Sequence, residues 1–144
     1  MPKKILLLST GGTIASRQGE NGLEPQLDSG DLLSYVSELS RLYQIDYRDI
    51  LNLDSSNIQP EEWQTIARAV YDNLPLYDGI VVTHGTDTMA YTASVLSFML
   101  QGVSKSVVLT GSQVPIDRPL TDGRFNLYTA FAAVDAGIPG VSVA

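Results

Sequence analysis

Hydroxyl, carboxylate and imidazole groups gather in short, glycine-punctuated stretches of this chain. These are Thr10-Gly11-Gly12-Thr13, Asp54-Ser55-Ser56, Thr83-His84-Gly85-Thr86-Asp87-Thr88 and Thr110-Gly111-Ser112-Gln113. Glycine pairs allow tight turns and a close approach of backbone to ligand, so Thr13 stands where its hydroxyl can reach a bound molecule. An ordinary turn between a strand and a helix would use the same glycines. Asp87 can grip an amino group or hold a basic residue. Ser55, Ser56, Ser112 and Gln113 add neutral donors and acceptors suited to a zwitterion or an amide. His84, the single histidine, reads either as a general base for Thr86 or Thr13 or as a hydrogen-bonding prop beside a buried strand. The prop reading is favoured.

A threonine hydroxyl is a poor nucleophile until a base takes its proton. Lysine is the usual base when histidine does not serve, yet Lys3 and Lys4 precede the first strand and Lys105 precedes the fourth. At ~3.3 Å per residue this puts them roughly 15 Å from the hydroxyl clusters. Arginine cannot act as a base. The chain therefore carries a nucleophile and substrate grips without the group that would activate the nucleophile. No phosphate signature supports a nucleotide-binding reading of the Gly11-Gly12 turn: there is no Gly-x-Gly-x-x-Gly, no Walker lysine and no placed acidic ribose partner. No His and carboxylate cluster has metal-ligand spacing, so neither a metal nor another cofactor is expected.

What positions these clusters is their place after apolar, strand-length runs at 3–9, 50–53, 79–82 and 107–109. Such runs alternate with stretches of helical period, which predicts an α/β fold: an open parallel sheet with helices on both faces, Rossmann-like or flavodoxin-like. In that fold the carboxyl ends of the strands share one edge, and ligands bind in the crevice outside it. The clusters should meet there. The polar stretch 15–27 shows no periodicity and reads as a loop. Asp28 or Ser29 caps a helix with Leu32, Leu33, Val36 and Leu39 on its apolar face. Pro60, Glu61 and Glu62 open a helix with the stripe Trp63, Ile66, Ala67, Val70 and Leu74. The helix near 88–101 is apolar on most sides, so it should be buried or covered by another chain. A helix from about 124 to 136 stops at Gly137, and a fifth strand starts at Gly140. The sequence ends inside that strand, and we expect it to be the first part of a longer chain.

The 144 residues are the size of one domain, with 44% hydrophobic and 17% charged residues. A net charge of −7 argues against nucleic acid or an anionic membrane as partner. No apolar run approaches the ~20 residues that span a bilayer. The apolar run after Lys4 is too short for a signal peptide and reads as a first strand of a cytoplasmic protein. The absence of cysteine excludes disulfides, a thiol nucleophile and thiolate metal sites.

In order and spacing these clusters resemble the bacterial-type L-asparaginases, the cytoplasmic type I branch in particular. Thr-Gly-Gly-Thr-Ile-Ala at 10–15, His-Gly-Thr-Asp-Thr-Met at 84–89 and Asp-Gly-Arg-Phe-Asn-Leu at 122–127 carry the resemblance, which covers essentially all of residues 1–144 as that family's N-terminal domain. The archaeal glutamyl-tRNA(Gln) amidotransferase, one of whose subunits contains the same domain, is a related possibility. The resemblance implies that Thr13 attacks the side-chain amide of L-asparagine, or of L-glutamine, and forms an acyl-enzyme. Thr86 matches the second essential threonine, Asp87 the carboxylate that binds the substrate amino group, and Ser55 the residue that binds its carboxylate. Gly12, Asp54, Ser56 and Gly85 fall around the same ligand, and Ser56 stands where many members carry Gln. Gly19, Gly22 and Leu23 fall in the family's mobile lid. Leu23 occupies the position where many members place a Tyr, and Tyr35, Tyr43 and Tyr47 lie too far along to replace it. The lysine that members pair with Thr86 and Asp87 falls beyond Ala144, as does their smaller C-terminal domain. Members work as homodimers or homotetramers. The expectation is an amidohydrolase domain inactive by itself. The rival is a module that binds or senses asparagine or aspartate without hydrolysing it.

Overall fold

Ile5, Leu6, Leu7 and Leu8 are all fully buried, which a strand achieves only when both faces of its sheet are covered. They lie in β1 (Lys4–Gly11). The computed structural model describes the backbone of residues 1–144 and every side chain except that of residue 25. Parallel neighbours of β1 are β4 (Gln44–Leu53) and β5 (Gly79–Thr83), followed by β6 (Ser106–Thr110) and β7 (Gly140–Val143). The sheet order is β4-β1-β5-β6-β7. Taken in chain order the parallel strands run 2-1-3-4-5, the flavodoxin-type arrangement, whose switch point lies between β1 and β5.

Alternate residues of each strand face opposite layers. Ile5 and Leu7 pack with Leu32, Leu39, Leu127 and Phe131 from α1 (Ser29–Ser34), α2 (Leu39–Leu42) and α5 (Gly123–Ala136). Leu6 and Leu8 pack with Ile66, Val70 and Leu96 from α3 (Pro60–Asn73) and α4 (Met89–Met99). At ~25 cal/mol per Å² of apolar surface removed from water, these two layers are the main stabilising term.

Local chemistry explains the helix ends. Asp28 and Asp31 form a capping box at the start of α1, and Gln59 and Glu62 form one at the start of α3 ahead of Pro60. Gly137 ends α5 in the left-handed conformation, φ 72°.

Two expectations change. The predicted helix over Leu32–Leu39 breaks after Ser34, and i→i−3 bonds such as Tyr35 N–H to Leu32 C=O carry the chain to α2. The tighter turns still turn Leu32, Val36 and Leu39 inward. The stretch read as a loop over 15–27 contains an antiparallel hairpin, β2 (Ser16–Gly19) and β3 (Gly22–Pro25). Leu23 is the one large apolar side chain in either strand, so no alternation betrays the pair; Asn21-Gly22 hints at a turn. On α4 the buried residues are Met89, Thr92 and Leu96, whereas Tyr91, Phe98 and Met99 are exposed, Phe98 by 73%. Within this chain the all-round apolar helix is thus covered on one side, which agrees with the second of the two expectations for it, cover by another chain, without testing it.

Candidate active site

Gly12 and Gly85 decide how closely the strand-end turns can meet. Gly12 has φ +83°, and a Cβ there would fall 2.5 Å from the backbone nitrogen of Gly85. A Cβ on Gly85 would fall 2.6 Å from the Ser55 side chain. Only glycine lets three backbone turns touch this way. Gly12 N–H donates to the Leu53 carbonyl at the end of β4 (3.0 Å), and Thr88 Oγ1 donates to the Ser55 carbonyl (2.9 Å). The turns after β1, β4 and β5 are therefore knitted together at the carboxyl edge of the sheet, at its switch point.

Gly12, Thr13, Asp54, Ser55, Gly85, Thr86 and Asp87 line one cavity there, joined by Ser16 and Leu23. The cavity measures about 50 Å³ and opens to solvent at one side. The wall supplied by the hairpin is Leu23, itself half exposed. Gly19 and Gly22 pair across the hairpin's end and do not line the cavity.

Thr13 is half-buried at the start of a short 3-10 turn, Thr13–Ala15. Ser16, which no motif singles out, is buried and donates its hydroxyl to the Gly12 carbonyl (2.8 Å). Asp54 accepts from Ser56 N–H (2.9 Å) and Ser56 Oγ (2.8 Å), and these bonds hold its carboxyl below the ordinary carboxylate value. Ser56 is thereby turned to Asp54 and lies outside the cavity lining. Thr86 Oγ1 accepts from Gln113 Nε2 (3.0 Å), and Asp87 is exposed at the rim.

His84 is fully buried between Gly85 and Thr92. Its Nδ1 lies 2.6 Å from the Gly85 carbonyl, which can only accept, so Nδ1 carries the hydrogen. Nε2 then accepts from Thr92 Oγ1 (2.9 Å), which accepts in turn from Trp63 Nε1 (2.9 Å). Every donor is used with a neutral ring, and burial pushes the imidazole below its ordinary pKa of 6.5. His84 is a prop that ties the β5 turn to α3 and α4. It does not line the cavity.

Asp122 performs the same service for the turn after β6. Its carboxylate accepts from the backbone N–H groups of Gln113 (2.9 Å) and Val114 (3.0 Å), while Asn126 Nδ2 donates to the Gly111 carbonyl (2.9 Å). Burial raises the Asp122 carboxyl, and the bonds from Gln113, Val114 and Asn126 outweigh it, leaving a net lowering. The lysines are committed at the other end of the sheet: Lys3 to Asp135 (3.3 Å), Lys4 to Asp46 (3.2 Å), and Lys105 to the Leu74 and Tyr77 carbonyls (2.6 Å each). Among the described residues no group of three or more His, Asp or Glu is placed to hold a metal ion, and no helix is long and apolar enough to cross a membrane.

Residues 4–144 match the family described as Asparaginase, N-terminal. The chain belongs to that family. The asparaginase domain is 51% identical over 142 residues to the L-asparaginase of Thermococcus kodakarensis, an alignment covering 98% of this chain and 43% of the relative. The solved structure of that thermostable enzyme superposes with a TM-score of 0.90, again over 98% and 43% of the two chains. Crystalline L-asparaginase I from Vibrio cholerae is 35% identical with a TM-score of 0.87, over 100% of this chain and 44% of that one. A glutamyl-tRNA(Gln) amidotransferase polypeptide of Thermoplasma acidophilum is 42% identical over 144 residues, 98% of this chain and 35% of the relative. The domain thus spans less than half the length of these relatives.

Proposed function

We propose that this domain supplies the nucleophile and substrate grips of an L-asparagine amidohydrolase. The observation that carries the reading is the shared cavity: Thr13, Thr86, Asp87 and Ser55 line the same space at the sheet's switch point. Thr13 Oγ attacks the side-chain carbonyl carbon of asparagine, forming a C–O bond as its proton passes to a base. Collapse of the tetrahedral intermediate breaks the C–N bond, and the nitrogen leaves with a proton as ammonia. Water then adds to the ester, the C–O bond to Thr13 breaks, Thr13 regains its proton, and aspartate departs. Asp87, exposed at the rim, receives the substrate ammonium, and buried Ser55 offers its hydroxyl to the α-carboxylate.

His84 is neutral but turned away, and the lysines are held at the far edge. We infer that a lysine from outside residues 1–144 serves as the base, and that the working unit is a homodimer or homotetramer in the cytoplasm. One further methylene separates glutamine from asparagine, a difference worth only ~1–3 kcal/mol in a pocket, so both amides are candidates. The similarity to the glutamyl-tRNA(Gln) amidotransferase favours a second reading, in which the same amide cleavage feeds its ammonia to an acceptor.

Ammonia release from L-asparagine, followed beside circular dichroism, tests the proposal. The 144-residue chain is expected to be folded and silent. The longer protein is expected to turn over and to lose at least about 10³-fold in kcat on Thr13→Ala, the scale seen when a nucleophile is removed. Unchanged turnover in Thr13→Ala refutes the assignment.

A further inference from the structure

Gln113 reaches Thr86 without lining the cavity. Its Nε2 stands 3.0 Å from Thr86 Oγ1, and its backbone N–H is gripped by both oxygens of Asp122, at 3.2 and 2.9 Å. Asp122 also accepts from Val114 N–H, and Asn126 anchors the preceding Gly111 carbonyl. The turn that carries Gln113 is thus fastened at successive backbone groups, while its side chain crosses from the β6 turn to the β5 turn.

We infer that Gln113 is a positioning residue that sets the hydroxyl rotor of Thr86. A threonine hydroxyl has one hydrogen and two lone pairs. A donor from Gln113 fills one lone pair and keeps the hydrogen of Thr86 from pointing back at residue 113. Thr86 then presents its O–H to the cavity that Gly85, Thr86 and Asp87 line. The same N–H···O bond stabilises negative charge that develops on Thr86 Oγ. Charged groups facing the pair are Asp54 and Asp87 across the cavity and Asp122 behind the Gln113 backbone; none can substitute for the donor. The inference rests on Thr86 acting in the reaction proposed above. Its hydrogen bond is measurable without that reaction.

Two nearly isosteric changes to the exposed Gln113 side chain in the full-length protein separate the roles. Gln113→Met removes the donor; Gln113→Glu replaces it with an acceptor that regains an O–H when protonated. Both are expected to lower kcat about 10- to 100-fold with KM within about threefold, the scale of a misplaced reacting group. The thermal midpoint should stay unchanged. Relative to wild type, Gln113→Glu should recover as pH falls towards the ordinary glutamate pKa of ~4.3, whereas Gln113→Met should stay low. Wild-type kcat in Gln113→Met, or a rise confined to KM, overturns the inference. In the second case Gln113 is a substrate grip. The side-chain NH₂ of Gln113, observed by ¹⁵N NMR, should lose its exchange protection in Thr86→Val. If it does not, the bond is absent and the inference fails. If wild type hydrolyses neither asparagine nor glutamine, the proposed function fails, and the NMR result alone decides whether Gln113 holds Thr86.

Discussion

A methyl group at residue 12 has nowhere to go. Gly12→Ala must force a positive φ on alanine and part the β1 and β5 turns, since the new carbon would sit 2.5 Å from Gly85 N. Gly102 has a similar φ of +77° with nothing within 4 Å of its would-be Cβ. Gly102→Ala should therefore cost only the backbone term, about 1 kcal/mol. Gly12→Ala should cost about 1–3 kcal/mol more and abolish L-aspartate binding, read by urea denaturation and calorimetry. His84 makes a separate prediction. Its folded pKa lies below the ordinary 6.5, so on acidification the unfolded chain takes up a proton first. The stability tied to the neutral ring is complete above about pH 6.5 and is lost as pH falls below it towards the folded value, by at most ~1.4 kcal/mol per pH unit. The thermal midpoint should drop between about pH 7 and 5.5, and His84→Gln should flatten that drop. Asp54 and Asp122, whose carboxyls are lowered, withdraw their contribution only below the carboxylate range near 3.8.

Among the elements, the β2–β3 hairpin is the one expected to move. Two strands without a third to pair with are marginal in water, and the ties of this pair to the body include Arg17–Asp117 at 3.8 Å and the Ser16 hydroxyl bond to the Gly12 carbonyl. Leu23 lines the cavity from the hairpin's side. Hydrogen exchange should find the amides of residues 17–23 among the fastest outside the termini, with β1 among the slowest. L-Aspartate should slow the hairpin selectively. Exchange as slow as that of β1 in the free protein would show that the wall is fixed.

For the whole molecule, the layers packed on the sheet and the outer surface of those layers make unequal demands. Phe131 is fully buried against β1 and stacks on Tyr43 with ring centroids 5.9 Å apart. Phe131→Ala should cost about 3–5 kcal/mol. Phe98, 73% exposed on α4, should cost within about 0.5 kcal/mol as Phe98→Ala in the isolated domain. Equilibrium denaturation of both variants checks the contrast. A loss of more than about 2 kcal/mol in Phe98→Ala would mean that α4 is covered in solution.

Strand 79–83, strand 106–110 and the Gly137 stop were legible in the sequence because apolar runs, period and glycine chemistry are local properties. So was the convergence of Thr13, Ser55, Thr86 and Asp87, because a parallel sheet brings all its strand ends to one edge. The hairpin was not, because strands with Leu23 as their one large apolar residue leave no alternation to read. Nor could any pattern reveal that Ser16 holds Gly12, that Gln113 reaches Thr86, or that Thr92, backed by Trp63, occupies the second nitrogen of His84. The last two join residues on different elements, and the first is a local bond in a turn that has no periodicity to read. The sequence by itself determined which groups meet at the sheet edge; the tertiary structure decided which way each hydroxyl and ring faces, because orientation depends on partners that chain order does not bring together.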